Sequence, residues 1–295
     1  MNAKTARYIA QKVSGGEAVY LAVKLDGGRV VWTADGAGGE GALAIPAKAA
    51  LYIAGAGHVA AKLAAAAASC GFAVTVTDDR PELLKGRFYG CRTICDSPAN
   101  IARHAAFGRG AYFALMSRDQ ETDAECLAEI LKHDFDYAGM IGGMKKAGYV
   151  KSFIYQRRIG GIERVHMPIG LDIGARTPAE IAVAVTAELI LARSATPEAS
   201  YPEDDVIESL ADGSAAVFMA VMKTWGSTPR EAGTFMTLLR DGTPVGTTGG
   251  GSAEAEVIRE ACTAAHDGRA RKICCDVSGG SGIEVLIDPI TGEEA

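Results

Sequence analysis

Residues 51–82, LYIAGAGHVAAKLAAAAASCGFAVTVTDDRPE, decide the fold. A short apolar run meets Gly55-Ala56-Gly57-His58-Val59-Ala60, a GxGxxA pattern, and a helical stretch from His58 to Cys70 follows. A second apolar run, AVTVT at 73–77, closes on Asp78, 23 positions after Gly55. In that context Gly55 permits a tight turn, Gly57 lets backbone approach an anion, and Ala60 lets the helix lie close to the strand. The helix N-terminus offers unpaired N–H groups and the positive end of its dipole to a phosphate. Asp78 stands where such folds hold a ribose hydroxyl, and Asp79 adds a second charge that Arg80 has to offset. His58, in the first turn, is expected as the neutral imidazole, because a cation there opposes the macrodipole. It is either a donor to a ligand or a partly exposed side chain of the cap region. The glycines equally serve a turn with no ligand, since one fold hosts many functions.

Outward from this stretch, short apolar runs alternate with helical ones: TIC near 94, a helix near 99–107, YFALM at 112–116, a helix over 123–133 and YAGMIG at 137–142. Strand, helix, strand at this spacing predicts a parallel sheet with crossover helices. Thr177-Pro178-Ala179-Glu180 is a capping box opening a helix to about Arg193. The expected fold class is therefore α/β: a Rossmann-like parallel-sheet domain over 49–196, followed by a small α+β domain over 205–295. The small domain shows VFMAVM at 217–222, TFMTLL at 234–239, one helix over 253–266 and strands near 271–277 and 283–288. Residues 197–204, within a Pro-, Ser- and acid-rich stretch, read as a linker. Residues 1–48 read as an N-terminal hairpin segment, with two apolar runs around Asp26-Gly27-Gly28 and a glycine-rich stretch at 35–41.

Length and composition agree. A chain of 295 residues has room for about two domains, and 48% apolar with 22% charged residues is globular. A net charge of -6 repels a phosphate backbone at long range, so nucleic acid is not expected as a partner. The longest apolar window, 49–77, is broken by His58 and Lys62 and is mostly alanine, so no membrane span is expected. No secretory signal is read at the N-terminus, and the expected address is the cytoplasm. Seven cysteines without a CxxC fit reduced thiols, and no set of metal ligands is apparent. GxSxG, HExxH, a P-loop and an EF-hand loop are all absent, which argues against hydrolase chemistry and nominates no catalytic residue.

Three further stretches carry candidate binding residues. Thr247-Thr248-Gly249-Gly250-Gly251-Ser252 runs into a helix, a second cradle of backbone N–H groups with Ser252 as expected N-cap. Glu254, in the first turn, is favoured there by the dipole alone or accepts hydrogen bonds from a heterocycle's N–H edge. Around Gly142, a glycine pair precedes a helix whose first turn holds Lys145 and Lys146, cations better placed if an anion sits over them. Arg230, in the Thr228-Pro229-Arg230 turn, suits bidentate phosphate or carboxylate contacts or anchors the turn. Cys274-Cys275 is expected to be structural.

Together, GAGHVA at 55–60, VTVTDDRPE at 74–82, GMIGGMKKA at 139–147, MPIGLDIGARTPAEIA at 167–182, WGSTPREAGTFM at 225–236 and GTTGGGSAEAEV at 246–257 resemble the XdhC/CoxI family. The resemblance implies a maturation chaperone, not an enzyme, that binds molybdenum cofactor, a molybdopterin with a terminal phosphate. It would support sulfuration of the cofactor, with a cysteine desulfurase as partner. It would then hand the cofactor to an apo molybdenum hydroxylase of the xanthine dehydrogenase or aldehyde oxidoreductase type. A homodimer is expected. The implied site comprises Gly55, Gly57, His58, Asp78, Asp79, Arg80, Gly142, Lys145, Arg230, Gly249, Gly250, Gly251, Ser252 and Glu254. Two features depart from the family pattern: the small domain follows the Rossmann-like one, and serine stands at 252 and 278 where members often carry cysteine. The competing reading is an NAD(P)-dependent oxidoreductase, resting on the GxGxxA turn and Asp78; a third is an interaction scaffold with empty glycine loops.

Overall fold

In the computed structural model, residues 1–14, 19–26, 29–33, 42–46, 48–195 and 203–292 are described. They form two units, Met1–Lys48 with Glu198–Ala295, and Ala49–Pro197. The chain opens with helix α1 (Ala3–Ser14) and strands β1 (Val19–Asp26), β2 (Arg29–Thr33) and β3 (Ala42–Ile45), an antiparallel sheet in the order β2-β1-β3. The expected hairpin is present, with Asp26 opposite Arg29. Its turn residues 27–28 and the glycine-rich stretch at 35–41 lie outside the described residues.

The second unit contains β4 (Ala50–Ala54), α2 (His58–Ser69), β5 (Ala73–Asp78), α3 (Pro81–Leu84), β6 (Arg92–Cys95), β7 (Gly108–Leu115), α4 (Gln120–Ile130), β8 (Phe135–Met140), α5 (Met144–Gln156), β9 (Val165–His166) and α6 (Pro178–Ser194). The stretch expected as a helix near 99–107 is a 3₁₀ helix, Pro98–His104. Six parallel strands lie in the order β6-β5-β4-β7-β8-β9. The order reverses between β4 and β7, which makes their carboxyl ends a topological switch point. Helices α2 and α6 bury Leu63 and Leu189 on one face; α4 and α5 bury Leu127 and Ile154 on the other. Burial on both faces explains why the strands read as short continuous apolar runs. The predicted capping box opens α6, with Thr177 and Glu180 exchanging hydrogen bonds.

The remaining elements are α7 (Asp204–Asp212), β10 (Ala215–Trp225), β11 (Phe235–Leu239), β12 (Pro244–Gly246), α8 (Gly251–Asp267), β13 (Arg271–Ser278) and β14 (Ser281–Pro289). The five strands form an antiparallel sheet in the order β12-β11-β10-β14-β13. Val217, Met219 and Val221 of β10 join the core under α8, while Phe218 and Ala220 join the opposite core.

Two expectations about this half of the molecule are corrected. Residues 1–48 are no separate segment: Ile9 and Val13 of α1, Leu21 and Ile45 share one core with Val206, Ile207 and Phe235. The Met1 amine donates to the Pro289 carbonyl at 2.9 Å and pairs with Asp288. Among the described residues the unit accordingly holds three helices rather than one, and α7 starts at Asp204, inside the expected linker, with Glu203 as its N-cap. Linker residues 197–202 lie outside the described residues. No described helix is long and apolar enough to cross a membrane.

Ile9 is wholly buried, so Ile9→Ala is expected to lower the stability of the unit holding both chain ends by about 2–5 kcal/mol. Urea unfolding should show that transition moving while the transition of the 49–197 unit stays in place. An unchanged first transition would mean that α1 is not part of this core.

Candidate functional site

At the switch point the backbone is tight. Gly55 takes φ +111°, donates to the Thr77 carbonyl at 2.8 Å, and leaves no space for a Cβ, which would sit 2.5 Å from the Met116 carbonyl oxygen. Gly57 is the opposite case. Its backbone is ordinary, an added Cβ meets nothing within 4 Å, and it caps α2 with no side chain satisfying the first N–H groups. His58 is exposed as the first residue of that helix.

Asp78, fully buried, is turned inward. Its Oδ2 accepts from the Ala56 N–H at 2.7 Å and Arg80 Nη2 at 2.9 Å; its Oδ1 accepts from the Arg80 N–H at 3.0 Å and Nε at 2.8 Å. Burial pushes the carboxyl up, but the Arg80 guanidinium and the two N–H groups outweigh it and hold it below the usual range. The ribose role expected for Asp78 is therefore corrected, since both oxygens already serve the chain. Arg80 does offset the acidic pair, as its position beside it suggested. Asp79 is exposed and pairs with Arg118 Nη2 at 3.1 Å, with Arg80 Nε at 3.8 Å. Arg118 was missed by the sequence reading, although it lies three positions beyond β7.

The glycine pair after β8 also differs from expectation. It is Lys146, not Lys145, that reaches inward, its Nζ lying 2.5 Å from Asp123 Oδ2 and 3.3 Å from the Ser117 carbonyl. Neighbours on a helix point about 100° apart, so only one can cross the loop, and Lys145 is left exposed. Gly142, at φ +148°, makes room: a Cβ would stand 2.7 Å from Lys146 Cδ. Burial pushes the Asp123 carboxyl up, with Lys146 and Ser117 opposing it.

One cluster went unread in the sequence. Glu188 of α6 accepts from the Tyr137 hydroxyl and the Gly170 N–H, each at 2.5 Å, and lies 2.7 Å from His166 Nδ1. It fixes the start of the exposed loop 171–177. A lone carboxylate in the apolar run AVAVTAELILA was the available signal.

In the other unit the register brings the carboxyl end of β10 and the turn between β13 and β14 to one end of the sheet. A Cβ on Gly249 would lie 3.3 Å from Pro229 Cβ and 3.7 Å from Arg230 Cγ, so the proline turn rests on the glycine run. Arg230 itself pairs with Glu203 at 3.1 Å on the surface. Ser252 is not the N-cap, a correction: Gly250 caps α8, because Gly249, Gly250 and Gly251 all take positive φ and turn the chain into the helix two residues early. The cradle also holds an internal carboxylate. Glu254 Oε2 accepts from Thr247 Oγ1 at 2.5 Å, the Thr248 N–H at 2.8 Å and the Gly250 N–H at 3.0 Å. Burial pushes this carboxyl up, yet those donors prevail and hold it below its usual range. Cys275 is buried, and burial together with Glu256 pushes its thiol up to about 11; Cys274 is exposed. The Ser278 side chain lies outside the described residues. Among the described residues no group of three or more His, Cys, Asp and Glu could hold a metal ion.

Comparison with known proteins adds three findings. Residues 51–189 match the XdhC Rossmann domain, and residues 209–276 match the XdhC and CoxI family. The uncharacterized protein YqeB of Escherichia coli (strain K12) is 31% identical over 161 residues, which are 50% of this chain and 28% of that protein. This chain thus spans well under two thirds of that relative. A solved Bacillus halodurans structure, described as a xanthine dehydrogenase, shares the fold with a TM-score of 0.52 at 23% identity, covering 65% of this chain and 64% of the other.

Asp78 should contribute to the acid limb of this unit's stability. Its folded-state pKa is depressed, so its contribution is present above the unfolded value of about 4 and is lost as pH falls through the folded value. Asp78→Asn is expected to cost about 2–4 kcal/mol at pH 7 and to flatten that acid limb, followed by urea melts between pH 2 and 7. An asparagine variant as stable as the parent at neutral pH would refute the clamp.

Proposed function

Because the chain belongs to the XdhC and CoxI family, we propose that it is a maturation factor that carries molybdenum cofactor. In this reading it supports sulfuration of the cofactor, with a cysteine desulfurase supplying the sulfur, and delivers it to an apo hydroxylase of the xanthine dehydrogenase or aldehyde oxidoreductase type. One observation carries the reading beyond the family: α2 begins without a side-chain cap, beside open space at Gly57 and at the sheet's switch point. A phosphate-bearing ligand suits that arrangement, because helix N-terminal N–H groups bind anions. The cofactor brings the chemistry the client needs; the chain's own residues bind and orient it. Gly57 and His58 provide backbone donors for its terminal phosphate. Arg80, held by Asp78, keeps the adjacent turn in place.

The oxidoreductase alternative loses the residue it rested on, since Asp78 has no lone pair left to offer a ribose diol. Cys275 is a poor sulfur donor: a thiol held near 11 stays protonated at neutral pH and is a poor nucleophile.

The test is reconstitution of a purified apo hydroxylase with molybdenum cofactor and this protein. Wild type should raise recovered activity, and Gly57→Val, whose Cβ meets no atom of the chain within 4 Å, should lose most of that gain while staying folded. Full activation by a folded Gly57→Val protein would overturn the placement of the site, and no activation by wild type would overturn the function.

A further inference from the structure

We infer that Asp79 and Arg118 form an ion-pair strap across the switch point, and that Arg118 takes a ligand's phosphoryl oxygens when Asp79 lets it go. The inference rests on the reading that this edge receives a phosphate-bearing ligand, and it adds a residue and a competitor to it.

The geometry is set by the strand order. β5 and β7 are the two neighbours of β4, so the loops that follow them, holding Asp79 and Arg118, flank the glycine loop that leads into α2. The 3.1 Å contact between Arg118 Nη2 and Asp79 Oδ2 therefore bridges over that loop. Both side chains are open to solvent, 59% for Arg118 and 43% for Asp79, and such pairs are worth little and exchange readily.

Two other cations at this edge are committed to buried carboxylates. Arg80 is locked on the buried Asp78 through Nε and Nη2, and Lys146 on the buried Asp123. Among the described residues Arg118 pairs with Asp79 and, at 4.0 Å, with the half-buried Asp119. It is a cation free to change partner. A separate observation points to a ligand at the same edge: the Thr77 hydroxyl, wholly buried on the last rung between β4 and β5, opposite Ala54, has no hydrogen-bond partner among the described residues. Buried hydroxyls are seldom left so.

The exchange selects chemistry. A phosphoryl group carries more charge than a carboxylate and meets the guanidinium fork through two oxygens, so it displaces Asp79, whereas a neutral ligand gains nothing over the bond it breaks. Asp79 thus acts as a resident counter-ion that raises the threshold for anion entry.

Isothermal titration of the intact chain with inorganic pyrophosphate tests this. Asp79→Asn should bind about tenfold tighter than wild type and Arg118→Gln about tenfold weaker, with Arg118→Lys between. Adding Asp79→Asn to Arg118→Gln should change nothing further, because the competitor then has nothing to hold. All variants should melt within about 4 °C of the parent, as expected for an exposed pair. Affinities within twofold of wild type in both single variants, weaker binding by Asp79→Asn, or no pyrophosphate binding by wild type would each overturn the inference. Titrating the same proteins with molybdenum cofactor separates the two claims: pyrophosphate behaving as expected while the cofactor fails to bind refutes the maturation reading alone.

Discussion

The Asp78 carboxylate is the hinge of the site. A buried carboxylate is tolerable only when its lone pairs are used, and here four donors from three groups use them: the Ala56 N–H, the Arg80 N–H and the Arg80 guanidinium. The consequence is mechanical as well as electrostatic. The end of β5 is tied to the glycine loop that follows β4, next to Gly55, which already fits against the Met116 carbonyl without room for a Cβ. The start of α2 is thereby held at a fixed place beside the switch point, and the negative charge usually offered to a ribose at that strand end is neutralised inside the fold. What remains outward is Gly57 with open space around it and a pair of exposed, exchangeable charges.

The other unit uses the same device on a different loop. Glu254 folds back from the first turn of α8 and fills the nest made by Thr247, Thr248 and Gly250. Each unit thus braces a glycine-rich turn with a carboxylate from its own chain. A glycine-rich loop before a helix offers donors to any anion, and a carboxylate a few residues away in sequence is the anion nearest at hand. Presence of such a loop is therefore weaker evidence of a ligand than the state of its donors: the α8 loop turns donors of Thr247, Thr248 and Gly250 onto Glu254, whereas the α2 cap has no side chain on it.

Much of the fold was legible because it is written locally. The alternation of apolar runs and helices from residue 49, the GxGxxA turn and the Thr177–Glu180 capping box are all patterns within a few residues, and each is in place. What escaped was long-range or ambiguous. Helix α1 packs with residues more than 190 positions away, and no local pattern announces that. A carboxylate closing β5 reads the same whether it faces a ribose or turns back to an arginine two residues on. Ser252 looks like an N-cap until three glycines with positive φ start the helix ahead of it. Lys145 and Lys146 are equivalent in sequence and are separated only by helical phase. Arg118 and Glu188 act through partners 39 and 51 positions distant, so their roles depend on the sheet order and not on spacing.

The central claim is that the α2 edge takes a phosphate-bearing cofactor and not a nicotinamide dinucleotide, because Asp78 is committed to the chain. Equilibrium titration of the intact protein with NADH, followed by cofactor fluorescence alongside a parallel titration with molybdenum cofactor, tests it most directly. The account predicts saturable binding of the molybdenum cofactor and no saturation by NADH below about 1 mM. Saturation by NADH in the micromolar range would contradict it, since the ribose would then have found an acceptor that the Asp78 clamp does not leave free.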